Sequence, residues 1–167
     1  MQGRAPHHGG CNQLIRLIIT GSLAIAACSQ TLETPPAAVA PGSANILRVV
    51  FKSKPDRPIV AVQWELAVPG ELQIAAADVV TGTAAESAAK SLNCSARNDP
   101  KTGKLCVCIL AGGVKALPEG AIAIVKFAAP ADAKPGTVTV RLRKIQGVST
   151  ELKSVPIADV EAAITIR

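Results

Sequence analysis

The sequence predicts an all-β protein, a two-sheet antiparallel sandwich of roughly eight or nine short strands with jelly-roll or immunoglobulin-like topology. Three observations carry this. Beyond residue 45, apolar and polar residues alternate with period two in one segment after another. Clusters of Pro, Gly, Asp and Asn separate the segments. No apolar repeat of period 3.6 runs long enough for a substantial helix.

The elements follow in order. Leu47, Val49 and Phe51 alternate with Arg48, Val50 and Lys52, and Lys54-Pro55-Asp56-Arg57-Pro58 turns the chain. The next strand has the clearest alternation: Val60, Val62, Trp64, Leu66 and Val68 fall on the core side, with Ala61, Gln63, Glu65 and Ala67 opposite. Pro69-Gly70 ends it. A strand is expected over Leu72 to Val80, then a helical turn over Thr83 to Ala89, where Ala and Glu favour helix. Lys90 to Cys94 and Leu105 to Leu110 form a hairpin around the polar stretch Ser95 to Lys104. Ala121 to Ala129 places Ala123, Val125 and Phe127 inside. After the turn Ala133-Lys134-Pro135-Gly136, Val138, Val140 and Leu142 alternate with Thr139, Arg141 and Arg143, and a last strand spans Ala162 to Ile166.

The first residues read as a targeting segment. Arg4 and Arg16 are its charges, no acidic residue precedes Glu33, and Leu17 to Ala27 is apolar or small. That core suits a signal peptide and is shorter than the roughly 20 residues of a bilayer-spanning helix. Ile25-Ala26-Ala27-Cys28 looks like a bacterial lipobox, with Cys28 as the lipidation site. The expected organisation is a lipoprotein signal over 1–27, a flexible Ala- and Pro-rich tether over 28–44, and a β-sandwich over 45–167. The expected location is the cell envelope, held by a lipid anchor on the periplasmic or extracellular side.

Charge and composition exclude several functions. Removing Arg4 and Arg16 from the 18 basic residues leaves 16 against 12 acidic, a net charge of +4. The basic residues are dispersed along strands, so nucleic acid is not an expected partner. Both histidines, His7 and His8, lie in the targeting segment, which leaves no imidazole base for nucleophilic catalysis. Glu65, Glu71, Glu86 and Glu119 are carboxylates on polar strand faces or in turns, not a paired site. Cys106-Val107-Cys108 lacks the spacing and histidines of a zinc site, and no calcium loop is present. No metal, no cofactor and no enzymatic activity are expected. Cys94, Cys106 and Cys108 remain, enough for one disulfide and one thiol in an oxidising compartment.

The order of the segments resembles the cohesin family, jelly-roll sandwiches of the bacterial carbohydrate-binding-module superfamily. The carriers are Val60 to Leu66 (VAVQWEL), Leu72 to Gly82 (LQIAAADVVTG), Gly120 to Phe127 (GAIAIVKF) and Arg141 to Thr150 (RLRKIQGVST). They span nearly all of 45–167. The resemblance extends to a Lys-x-x-x-Cys strand, Lys90 to Cys94, followed by Cys108 before Ile109-Leu110-Ala111-Gly112. It implies a Cys94–Cys108 disulfide. Cys106 lies two residues away on the same side of the strand, so Cys94–Cys106 remains the alternative.

The resemblance implies a jelly-roll fold and a non-catalytic module that holds a protein partner, a dockerin-bearing enzyme being the family's kind, in service of polysaccharide degradation. Outward rows such as Gln63 with Glu65, or Thr139 with Arg141, would supply the contacts. Two other readings stay open. One is direct binding of a polysaccharide, although there is no Tyr and the one Trp falls on a core face. The other is a purely structural envelope lipoprotein.

Overall fold

The strongest period-two segments become the long strands of a sandwich in the computed structural model, which describes residues 30–167. Eleven strands form among the described residues: β1 (Thr31–Glu33), β2 (Ala37–Val39), β3 (Ala44–Lys52), β4 (Ile59–Val68), β5 (Val79–Thr81), β6 (Ser91–Asp99), β7 (Gly103–Ala111), β8 (Gly120–Ala128), β9 (Gly136–Ser149), β10 (Ser154–Pro156) and β11 (Val160–Ile166). One short helix, α1 (Thr83–Ser87), follows β5. The small sheet has the order β1-β3-β8-β5. The large sheet runs β2-β11-β9-β4-β7-β6, with β10 also paired to β9. All pairings are antiparallel except β2 with β11.

The core lies between the sheets. From the small sheet come Leu47, Val49, Phe51, Val125 and Phe127. From the large sheet come Val62, Trp64, Leu66, Cys108, Val140, Leu142 and Ile164. Val138 packs half-buried against this cluster. Trp64, the largest side chain, is 1% exposed, as its place on the apolar face of β4 requires.

Val60 is a correction. It is only half-buried, and Ile59 takes the core position at 0% exposure. The pairing of β4 with β9 shifts between Ile59 and Ala61, and a bulge there reverses which side successive residues face. The alternation of 62, 64, 66 and 68 therefore cannot be extended back to 60.

The expected tether is also corrected over its described part. Thr31–Glu33 pairs with β3, and Ala37–Val39 pairs with β11. Leu32 and Val39 are buried, and the Gln30 side chain donates from Nε2 to the Arg57 carbonyl at 2.5 Å. The folded body thus already includes Gln30 to Val39, ahead of residue 45. The expected targeting segment over 1–27 and the expected lipidation site Cys28 lie outside the described residues.

The stretch Leu72 to Val80, expected as one strand, is broken. Gln73 makes an isolated bridge to Ala128, a 3-10 turn covers Ala76–Asp78, and pairing resumes only at Val79. The Asp78 carboxylate accepts from the Ala75 backbone N–H at 2.7 Å, a local bond that competes with a ladder. The 83–89 segment forms α1 as its composition favours. The β6–β7 hairpin is longer than expected. Its strands close to Asp99 opposite Gly103, and Gly103 at φ +94° supplies the left-handed residue of the tight turn.

Candidate functional site: the outer face of the large sheet

The solvent-facing side of the large sheet is assembled by strand register. Gln63 on β4 lies between Gln146 on β9 and Ile109 on β7. Glu65 lies between Arg143 and Val107, and Ala67 between Arg141 and Leu105. Arg141 in turn faces Glu161 on β11, and Ile109 faces Asn93 on β6. Gln63, Glu65, Thr139 and Arg141, the outward residues singled out in the sequence, therefore share one surface.

Its electrostatics centre on Glu65. Arg143 donates from Nε to Oε2 at 3.0 Å and Lys144 from Nζ to Oε1 at 2.9 Å. The Lys144 hydrogen bond, more than any other contact, holds the Glu65 carboxyl below the ordinary glutamate range, against a desolvation that acts the other way. Arg143 also lies 3.6 Å from Asp99, and Arg141 donates to Glu161 at 2.7 Å. Gln63 donates to Gln146 at 3.2 Å. The charges are thus arranged in fixed pairs, not gathered into one strong field.

An apolar area adjoins this network. Ile109 is 49% exposed and Leu152, in the turn between β9 and β10, is 82% exposed. They line a shallow hollow of about 250 Å³ together with Ala61, Gln63, Gln146 and Val148. Leu152 holds φ +59°, a left-handed backbone that a leucine adopts at a cost of order 1 kcal/mol. A strained residue presenting a bare isobutyl group is an arrangement that stability alone does not favour.

The face offers fixed ion pairs beside an exposed aliphatic patch. A glycosidase acid needs a raised carboxyl pKa, and Glu65 is lowered. Stacking on a sugar ring needs an exposed aromatic. Trp64, Phe51 and Phe127 are all buried, and the chain has no Tyr. Among the described residues, no three of His, Cys, Asp and Glu gather as a metal cluster.

Cys94 and Cys108 form the disulfide, and Cys106 stays a buried thiol. The bridge joins directly opposed residues of the β6–β7 hairpin on its inner side, beneath the outer face. Ile109, Leu152, Gln146 and the paired reach of Arg143 and Lys144 were not singled out in the sequence. Only Leu142 and Ile145, apolar residues three apart in an otherwise alternating strand, hint at the break that brings the last two together.

No protein-family model and no curated protein matches the chain. Solved structures do. The OlpA cohesin of Clostridium thermocellum, in a cohesin–dockerin complex, superposes with a TM-score of 0.67 at 16% identity, over 83% of this chain and 99% of that one. The domain has the cohesin fold. A non-cellulosomal cohesin from the archaeon Archaeoglobus fulgidus matches with a TM-score of 0.65 at 18% identity, over 83% and 91%. The cohesin module of a family 33 glycoside hydrolase from Clostridium perfringens matches with a TM-score of 0.62 at 10% identity, over 83% and 96%. At these identities the likeness is one of cohesin architecture, carried on a largely different set of side chains.

Proposed function

We propose that this cohesin-fold domain is a non-catalytic recognition module that binds a protein partner on the outer face of the large sheet. The observation that carries the reading is Ile109, half-exposed between the amides Gln63 and Asn93 and beside the row of ion pairs that centres on Glu65. An apolar anchor ringed by polar groups is the anatomy of a protein-binding surface. Several cohesins of the same fold were solved bound to dockerins, which supports a dockerin-bearing enzyme of polysaccharide breakdown as the partner. The lipobox at Cys28 supports display on the cell envelope through a lipid anchor.

The test is capture from the native secretome on immobilised protein, followed by titration of the recovered partner. A dockerin-bearing enzyme is expected. Ile109→Asp should weaken it by about tenfold or more, as for an interface hot spot. Binding of cellulose, xylan or chitin oligomers with no protein captured would replace this reading with a carbohydrate-binding one. For the anchor, Cys28→Ser should move the protein from the membrane to the soluble fraction. Unchanged membrane association would remove lipidation from the proposal.

A further inference from the structure

The four ends of the two sheets are not alike. β1, β5 and β2 are three residues long, whereas β6 is nine. Long open edges invite pairing with another chain, and natural proteins blunt them with Pro, bulges, charges or short length. β6 has no Pro, pairs with β7 without a register shift, and carries only Arg97 and Asp99 as charges.

Backbone geometry says which groups are open. Cys94 and Cys108 are directly opposed with Cα atoms 4.2 Å apart, the close spacing of a non-hydrogen-bonded antiparallel pair. By alternation Leu92, Cys94, Ala96 and Asn98 direct their N–H and C=O groups away from β7. Among the described residues, no backbone hydrogen bond outside the β6–β7 ladder uses them.

The inner side of β6 is only partly covered. Opposite Leu92, Cys94 and Ala96 stand Leu110, Cys108 and Cys106, each 0% exposed. Yet Leu92 and Cys94 are only half-buried, and Ala96 is exposed. β6 projects past the small sheet, whose nearest strand, β5, is too short to roof it.

We infer that β6 pairs with β6 of a second copy, antiparallel about a two-fold axis through Ser95, joining two large sheets into one. Full overlap of the nine residues sets the register. Cys94 then faces the partner's Ala96, and Leu92 the partner's Asn98. Open backbone groups meet open backbone groups, which gives about eight new hydrogen bonds. On the outer side Asn93 faces the partner's Arg97, and Ser91 the partner's Asp99, so no like charges oppose each other. On the inner side the row Leu92-Cys94-Ala96 continues into the second copy's Ala96 and Cys94. A second copy satisfies both open edges in a single closed contact. Two paired strands bury less than a standard interface, so the dimer is concentration-dependent in solution. The inference does not depend on the proposed dockerin partner.

The test uses the chain with Cys11 and Cys28 replaced by Ser, carrying one of three further substitutions. Ser95→Cys places a thiol on the axis against its own copy. Under denaturing, non-reducing conditions its mass should double, and a reductant should return it to the single-chain mass. Ser91→Cys, whose two copies lie at opposite ends of the paired strands, should form no disulfide-linked dimer. Ala96→Pro removes an N–H that points away from β7. The monomer tolerates proline there, so it should melt as the parent does, while the reversible dimer seen by sedimentation at high concentration is lost. A Ser95→Cys chain that forms no disulfide-linked dimer under oxidation overturns the inference. So does an Ala96→Pro chain that dimerises like the parent.

Discussion

Arg143 reaches Glu65 because β9 carries one residue more than β4 at their contact. Gln63 pairs with Gln146 and Glu65 with Arg143, so Lys144 and Ile145 together oppose the single Trp64. Lys144 takes the strain of this bulge at φ +51°, with its N–H bonded to Asp159 at 2.9 Å. The extra residue lets two successive basic side chains converge on one carboxylate and returns Ile145 to the core.

A pH dependence follows. The Glu65 pKa is lower in the folded chain than in the unfolded one, so the unfolded chain binds the proton more readily. The stability contributed is present above the ordinary glutamate value of 4.5 and is lost as pH falls below it through the folded value. Thermal melts from pH 6 down to pH 3 should fall more steeply for the parent than for Glu65→Gln. Parallel curves would mean that the ionised carboxylate contributes nothing.

Trp64→Ala should destabilise the domain by about 3–5 kcal/mol, the range for removing a large buried ring. Trp64→Phe should cost markedly less, because the indole N–H has no acceptor among the described residues and the substitution removes an unpaired buried donor. Denaturant titration measures both. A Trp64→Ala cost under about 1 kcal/mol would contradict the packing described for β4.

The disulfide closes a loop of sequence separation 14. Replacing Cys94 and Cys108 together by Ser should cost about 3 kcal/mol in the chain-entropy account. In the parent, burial pushes the Cys106 thiol up and keeps reagents from it. An alkylating reagent should leave Cys106 untouched in buffer and modify it once the chain unfolds. Labelling of Cys106 at the native rate of an exposed thiol would refute its burial.

Gly82 illustrates a position fixed by proximity rather than by backbone angle. A Cβ there would lie 2.4 Å from the Ala121 carbonyl oxygen and 2.7 Å from its carbon, both main chain. Gly82→Ala should push α1 off β8 and cost about 1–3 kcal/mol, read as a lowered melting temperature. An unchanged melt would show that α1 shifts freely.

How far the fold was legible depends on strand length and on interruptions. β3, β7, β8 and the second half of β4 are long enough for alternation to name their inner residues. β1 and β2 are three residues each amid Ala and Pro, too short for a period to be seen, and only partner strands define them. The three-residue β10 is similar. Val60 was misplaced by the bulge at Ile59–Ala61, which depends on β9, a strand far away in sequence. The outer face was legible as separate rows, Gln63 with Glu65 and Thr139 with Arg141. Their union on one sheet, and the addition of Ile109 and Leu152, came from register and turn geometry that no single segment encodes.

The burial of Gln30 and the pairing of β1 bear on how an anchored molecule would stand. One residue, Ser29, separates Cys28 from Gln30, a leash of two steps and about 7 Å even when fully extended. An acylated chain would therefore rest its Arg57 end directly on the lipid headgroups, with its strands upright. The broad side of the large sheet would then face sideways, toward molecules drifting along the same plane, and the search for a partner would be lateral, with almost no outward reach.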